Sequence, residues 1–426
     1  MANCEQTVRK FGLRRWATCR ALWLWPAFPF LAAPLHFAQA QVKLSLSEAV
    51  NQALEGNPSL QASRERIVLA QGLRQQAGLI PNPRLILQTE NTRPYSPFVF
   101  PRDTDNFAYL QQTVETGGKR ERRIDAAAAN LRRAELEQEV LRRQIAVRVK
   151  TAYWAASGAK TVERLLAQDV ESFRRIVDYH ETRVKEGAMA EVDLIRIRLE
   201  NERLEISLNY ATLEAERARI NLFREMGKTD FPEVEFTEPL EPPPAPPVMA
   251  VEQALEERAE LRLARHMVDQ SKAALRLQQS NATPNVDVLF GYKRATGFDS
   301  MMGGLQIDLP FTNRNQGNIA AASAEVRVAE SMLAATEALV RAEVLAAQRE
   351  SNIRLRQLGG FFAQMRARAD ESARIAQAAY REGGADLLRL LDAERLRIET
   401  QLLYYRALTE YRQSIVALEA AFGMKP

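Results

Sequence analysis

Proline is missing from two long stretches of this chain, Arg102 to Phe231 and Phe311 to Lys425, although the sequence holds 19 prolines. A proline inside a helix removes a hydrogen bond and clashes with the preceding turn, so such stretches leave room for unusually long helices. Within the first, apolar residues recur at Leu141, Ile145, Val149, Ala152 and Ala156, then at Val162, Leu166, Val170, Phe173 and Val177. Steps of three and four mark one buried helical face. A helix from about Lys119 to Glu186 would be roughly 100 Å long. Gly187 breaks it, and the pattern then resumes to Gly227. The second stretch repeats this form, with Gln316 to Glu382, a break at Gly383-Gly384 and a return to Gly423. The spacing predicts two long antiparallel helical hairpins, each turned at glycine.

The hairpins belong to a duplication. Ala49-Val-Asn-Gln-Ala-Leu54 matches Ala250-Val-Glu-Gln-Ala-Leu255 at an offset of 201, as do Leu60 with Leu261 and Pro83 with Pro284. Leu110-Gln111 matches Leu305-Gln306 and Ile124 matches Ile319 at an offset of 195, whereas Glu186-Gly187 matches Glu382-Gly383 and Gly227 matches Gly423 at 196. Most of the length difference falls between residues 91 and 110. The expected organisation is a leader at 1–40, a first repeat at 41–230, a proline-rich segment at 231–248 and a second repeat at 249–426. The run Pro239-Leu-Glu-Pro-Pro-Pro-Ala-Pro-Pro247 is an extended, semi-rigid linker.

Each repeat reads as helix, two strands, then the long hairpin. Strand candidates are Arg84 to Thr92, Phe107 to Glu115, Val286 to Arg294 and Gly304 to Phe311. Alternation is clearest at Val286, Val288, Phe290 and Tyr292. Runs of about nine residues suit a tilted strand crossing a bilayer, although soluble hairpins share that length. The long helices lead away from these strands and leave their apolar face uncovered. Four strands cannot close a barrel, and lipid does not tolerate open edges, so several chains must pool their strands.

The first forty residues read as an address. A basic stretch to Arg20, an apolar run from Ala21 to Leu35 and Ala38-Gln39-Ala40 follow the order of a secretory signal peptide. The apolar run is short for a spanning helix, which needs roughly 20 residues, and contains three prolines. Both cysteines, Cys4 and Cys19, precede it, so no lipidation box follows. Without this segment the chain has 53 basic and 53 acidic residues, no cysteine and two histidines, His180 and His266. Neutral balance argues against nucleic-acid binding, and the missing thiols and scarce imidazoles argue against zinc sites and Cys or His nucleophiles. Both histidines are expected at the surface, and Trp154 and Tyr404-Tyr405 in helix packing. Gly117-Gly118-Lys119-Arg120 lacks the first Gly and the Ser/Thr of a phosphate loop and reads better as a strand-to-helix corner. Met301-Met302 falls on an expected loop, and Tyr95, Phe98 and Phe100 suit a membrane-interface loop.

The opening Leu44-Ser-Leu-Ser-Glu-Ala-Val-Asn-Gln-Ala-Leu-Glu-Gly-Asn-Pro-Ser-Leu60, the Pro81-Asn-Pro83 turn and the duplicated frame resemble the TolC family of outer-membrane efflux proteins over the whole mature length. Glu115-Thr-Gly-Gly-Lys-Arg-Glu-Arg-Arg-Ile124 is similar to the strand-to-helix junction of its CzcC-like heavy-metal branch. The resemblance implies a mainly α fold with a small β part. Long helical hairpins would form an α-barrel, and four strands per chain would join a shared twelve-stranded outer-membrane β-barrel in a homotrimer. It implies an exit duct with no enzymatic activity and no cofactor. Its partners would be a periplasmic adaptor, an inner-membrane pump and outer-membrane lipid. Drug efflux or type I secretion by the same family stay open as alternatives, as does a periplasmic coiled-coil scaffold without a pore.

The resemblance also places candidate sites. Gly187-Ala188-Met189 and Gly383-Gly384-Ala385 occupy the turns where family members meet adaptors, although these glycines equally serve to end helices. Arg389-Leu-Leu-Asp392-Ala393 resembles the family's Asp-Val-Leu-Asp-Ala pore constriction, with Arg389 departing from the pattern. Asp193 matches an aspartate of a closing salt bridge, but its arginine partner would fall at Ala385. A closing network here is therefore wired differently, with Arg389 as the candidate partner and a plain surface ion pair as the simpler reading.

Overall fold

A computed structural model describes residues 42–92, 99, 103–242 and 249–424. The leader, Tyr95, Phe98, Phe100 and most of the proline run lie outside the described residues.

The first repeat opens with β1 (Val42–Leu44), α1 (Leu46–Gly56) and α2 (Pro58–Ala77). Ser45 and Glu48 form a capping box: the Ser45 hydroxyl accepts from the Glu48 amide, and the Glu48 carboxylate accepts from the Ser45 amide at 2.9 Å. Asn57 ends α1, and its side chain caps α2, with Pro58 as the first helical residue. Then come β2 (Arg84–Glu90), β3 (Asp105–Val114), the 67-residue α3 (Lys119–Lys185) and α4 (Glu191–Met226). After β4 (Val234–Phe236) the second repeat runs α5 (Val251–Glu257), α6 (Ala259–Ser280), β5 (Val286–Ala295) and β6 (Phe298–Ile307). Its long helix is interrupted: α7 (Gln316–Arg356), a π-helical segment (Gln357–Phe362) and α8 (Ala363–Arg381), followed by α9 (Leu387–Ala421).

β1 and β4 pair in parallel, Val42 opposite Val234 and Leu44 opposite Phe236. Leu44, Tyr153, Trp154, Leu222 and Val234 form the largest core cluster around this pair. The Tyr153 hydroxyl donates to the Leu44 carbonyl at 3.1 Å and to the Glu238 carboxylate, which also accepts the Leu46 amide at 2.8 Å. Burial and the adjacent Glu238 push that hydroxyl's pKa far above the ordinary tyrosine range.

The junction Glu115 to Arg123 shows why so many charges gather there. Arg120 donates to the Gly78 carbonyl at 2.7 Å, and Arg123 to the Ala77 and Leu79 carbonyls at 2.8 and 3.0 Å, satisfying the exposed end of α2. Arg123 also grips Glu115 and, through hydrogen bond and charge, holds its carboxyl below the usual range. The Lys119 ammonium reaches the Asn285 side chain and Thr116 the Pro284 carbonyl, so the corner of the first repeat is tied to the start of β5. This is a structural lock, as the sequence reading of the glycine pair anticipates.

Nearer the sheet the helices lie in the order α2, α3, α6, α7; towards the hairpin turns the order is α4, α3, α9, α8. Helix α3 is common to both layers. Its Gly158 lets α9 come close: a Cβ there would stand 2.1 Å from Thr409 Oγ1.

Candidate functional site

The sheet order is β2-β3-β5-β6, antiparallel throughout. The register fixes which side chains share a face. Leu85, Leu110, Phe290 and Gly303 stand opposite one another, as do Leu87, Ala108, Tyr292 and Met301, then Gln112, Val288 and Leu305, then Val114, Val286 and Ile307. With a period of two these residues share one face, apolar but for Gln112 until it ends at the polar row Thr89, Asn106, Arg294 and Asp299 beside the hairpin turns. Leu87, Leu305, Met301, Leu85, Phe290 and Leu110 are all more than half exposed. The opposite face is mixed: it carries Arg84, Gln88, Glu90, Gln111, Thr113, Asp287, Lys293 and Gln306 together with Ile86, Phe107, Tyr109, Leu289 and Met302. An uncovered apolar face of this extent is unusual in water and suits lipid. β2 and β6 are the outer strands, each with one edge unpaired among the described residues.

The fourth strand differs from expectation. It spans Phe298–Ile307 rather than Gly304 to Phe311, because Thr296 and Gly297, with φ of 48° and 83°, form a two-residue hairpin turn that pairs Ala295 with Phe298. Met301 and Met302 therefore lie on a strand and not on a loop. Leu309 and Phe311, still exposed, continue the alternation beyond the paired region.

At the other end of the helices both hairpins turn alike. Gly187 and Gly383 have φ of 71° and 76°. The Ala188 amide donates to the Arg183 carbonyl at 2.9 Å and the Gly187 amide to Val184 at 3.0 Å; Gly384 to Ala379 and Gly383 to Tyr380 repeat this at 2.8 and 3.1 Å. This hydrogen-bond pair needs a left-handed residue at its centre, which glycine supplies without strain. Gly187, Ala188, Gly383 and Gly384 are exposed, whereas Met189 packs on Ile197, Leu387 and Leu390 and pins the tip from within.

Asp193 pairs with Arg196 one turn along α4, at 3.6 Å, and not with Arg389. Arg389 and Asp392 line one groove between α8 and α9 with Arg368, Glu371, Ala385 and Leu396. Among the described residues neither side chain has an ionic partner.

Two buried polar arrangements escaped the sequence reading. His180 is only 2% exposed, correcting its expected surface position. Its Nδ1 lies 2.7 Å from the Ile176 carbonyl and its Nε2 2.7 Å from the Tyr380 hydroxyl, joining α3 to α8. The signal was present: His180 continues the stripe Leu166, Val170, Phe173, Val177 by one further step. Farther from the tip, Arg397 donates to Asp169 at 2.7 Å and to Glu394 at 2.9 Å, and Glu394 also accepts from Gln377. Asp169 sits three residues past Leu166 on the buried face, and its desolvation raises its pKa despite Arg397. Among the described residues no cluster suits a metal ion, and no helix is long and apolar enough to cross a membrane.

A chain with a lipid-suited sheet at one end and two long hairpins at the other has the subunit plan of an outer-membrane duct. The chain belongs to the outer membrane efflux protein family, whose profile matches residues 49–228 and again 250–424. It is 25% identical over 395 residues to the cobalt-zinc-cadmium resistance protein CzcC of Cupriavidus metallidurans, covering 92% of each chain. Among solved structures it resembles CusC, with TM-score 0.74, 15% identity and coverage of 90% and 93%. It also resembles the outer membrane protein VceC of Vibrio cholerae, with TM-score 0.71, 21% identity and coverage of 89% and 96%. The chain is thus a non-enzymatic efflux channel of tripartite systems, placed in the outer membrane and extending into the periplasm.

Proposed function

We propose that the chain works as a homotrimeric exit duct for heavy-metal cations, docked through its tips to a periplasmic adaptor and an inner-membrane pump. The observation that carries the assembly is the sheet: one apolar exposed face and two unpaired outer strands. In lipid those edges need partners, and three copies would supply twelve strands for one closed barrel. Outer-membrane lipid would then cover the face of Leu85, Leu110, Val288 and Phe290. The cargo reading rests on the likeness to CzcC, whose name assigns it cobalt, zinc and cadmium resistance.

Adaptor docking is assigned to Gly187, Ala188, Met189, Gly383, Gly384 and Ala385. Exposed small residues at both turns support close tip-to-tip packing, with Met189 shaping the turn from inside. The constriction is assigned to Asp193, Arg389 and Asp392. Arg389 and Asp392 share a groove without neutralising each other in one chain, which supports ion pairs between copies on closure.

Three experiments test this reading. A deletion strain should lose tolerance to cobalt, zinc or cadmium and regain it on complementation; lost tolerance to organic drugs alone would move the cargo to drug efflux. Native mass determination of the detergent-extracted protein should give a trimer from the outer-membrane fraction, and a periplasmic monomer would end the duct assembly. Asp392→Ala should change single-channel conductance or cation block, and unchanged traces would remove Asp392 from the constriction.

A further inference from the structure

The two long helices differ by one residue. Ile124 and Ile319 correspond at an offset of 195 and Gly187 and Gly383 at 196, so the second helix carries one extra residue between these points. The structure shows where it is absorbed. Helix α3 is continuous, whereas its counterpart passes through the π segment Gln357–Phe362, where the Ala363 amide bonds to the Leu358 carbonyl five residues back. A π turn is the usual accommodation of one inserted residue, and it marks a local break in the helix's regular hydrogen bonding.

The break holds Gly359 and Gly360. Neither has a positive φ, and a Cβ at either would meet nothing within 4 Å. Within the chain, glycine is therefore required there neither by backbone angle nor by close packing. Two glycines give the backbone freedom of motion at this point, at a cost in helix stability. On both sides the helix is fastened to α9. Before the break, Arg354 pairs with Glu350 and Glu410; after it, the Arg366 guanidinium lies 4.9 Å from the Tyr404 ring centre and 5.5 Å from that of Tyr405. Leu358 is buried against Leu408 and Tyr411, while Phe361 on the free side is 75% exposed.

We propose that the π segment is a hinge: α8 pivots about Gly359-Gly360 when the duct opens, carrying the Gly383-Gly384 tip and the Arg368 and Glu371 wall of the groove that faces Arg389 and Asp392 on α9. The opening it regulates rests on the duct reading above. The first hairpin, with an unbroken α3, is the fixed member, and the movement of α8 breaks the His180–Tyr380 hydrogen bond that joins the two.

The test uses the full-length trimer, the double variant Gly359→Ala/Gly360→Ala and a deletion of Gly360. The added methyl groups meet no neighbour within the chain, and native mass checks that both variants form trimers. In the wild type, amide hydrogen exchange over 357–362 should be at least about tenfold faster than over 162–167 of α3, and should slow several-fold in the double variant. In planar bilayers, and in export assays with pump and adaptor present, both variants should open at least about fivefold less often than the wild type. Exchange over 357–362 as slow as in α3 would overturn the hinge. Rapid exchange with unchanged opening in both variants would overturn its role in gating. If the wild-type trimer itself conducts nothing, the duct reading fails, and the exchange measurement still decides whether the hinge exists.

Discussion

His180 and Tyr380 hold the two hairpins together near their tips through one hydrogen bond of 2.7 Å between α3 and α8. The Ile176 carbonyl only accepts, so the proton shared with it belongs to Nδ1, and Nε2 takes the Tyr380 hydroxyl proton. Tyr380→Phe keeps the ring and strands a buried acceptor. It should cost about 1 to 3 kcal/mol, read as a lower melting temperature and faster proteolysis at the tips. His180→Leu in that background should recover part of the loss, and additive losses in the double-mutant cycle would show that the two residues are uncoupled.

Asp169, Glu394 and Arg397 place two carboxylates on one guanidinium, with Glu394 only 3% exposed. Removing the cation is predicted to hurt far more than removing one anion. Arg397→Met should cost about 3 to 5 kcal/mol, whereas Asp169→Asn, which leaves a balanced pair, should be close to neutral or stabilising. Melting curves of the two variants at neutral pH decide the order.

The same group sets a pH dependence. Burial raises the Asp169 pKa above its ordinary 3.8, so the folded chain binds this proton more tightly than the unfolded chain. Its contribution to stability is then greatest below the unfolded value and is lost as pH rises through the folded one. The melting-temperature advantage of Asp169→Asn over the wild type should therefore shrink as pH falls from 7 towards 4. A gap that widens on acidification contradicts the assignment.

On the sheet the prediction is one of faces. Val288→Arg or Phe290→Arg, on the apolar side, should cost on the order of 2 to 4 kcal/mol near the bilayer middle and deplete assembled protein from outer membranes. Gln306→Arg, on the polar side, should leave that fraction near wild type. Equal effects from both faces would mean that lipid does not touch the Val288 side.

Gly158 makes a packing prediction. Alanine is the better helix former by about 1 kcal/mol, yet a Cβ would collide with Thr409, so Gly158→Ala should destabilise by about 1 to 3 kcal/mol overall. Thr409→Ala added to it should restore part of the loss, measured by the same melting curves.

Periodicity and glycine placement made the large features legible. Lys119 and Gly187 bracket α3 because a stripe with steps of three and four needs no tertiary information, and the left-handed turns at Gly187 and Gly383 have one favoured residue type. The fourth strand shifted because its hairpin depends on the Thr296-Gly297 turn, a local signal weaker than the alternation of Leu305, Ile307, Leu309 and Phe311 that overlay it. The π segment left only a one-residue change of offset. His180 and Asp169 were hidden for a different reason: a polar residue on an apolar stripe declares its burial but not its partner, and Tyr380 and Arg397 lie 200 and 228 residues away.

The parallel pairing of Val42–Leu44 with Val234–Phe236 carries a consequence for the order of events during biosynthesis. A chain made from its N-terminus brings β1 forward first, but its hydrogen-bonding partner follows only after the whole first hairpin. The Leu46 amide must likewise wait for the Glu238 carboxylate, 192 residues downstream. Until then the earliest segment has no seat, and closing so long a loop is favourable only once α3 and α4 have already brought its ends together. The first hairpin therefore acts as the measuring rod for its own origin, and the strand pair is a latch that clicks only on a finished repeat.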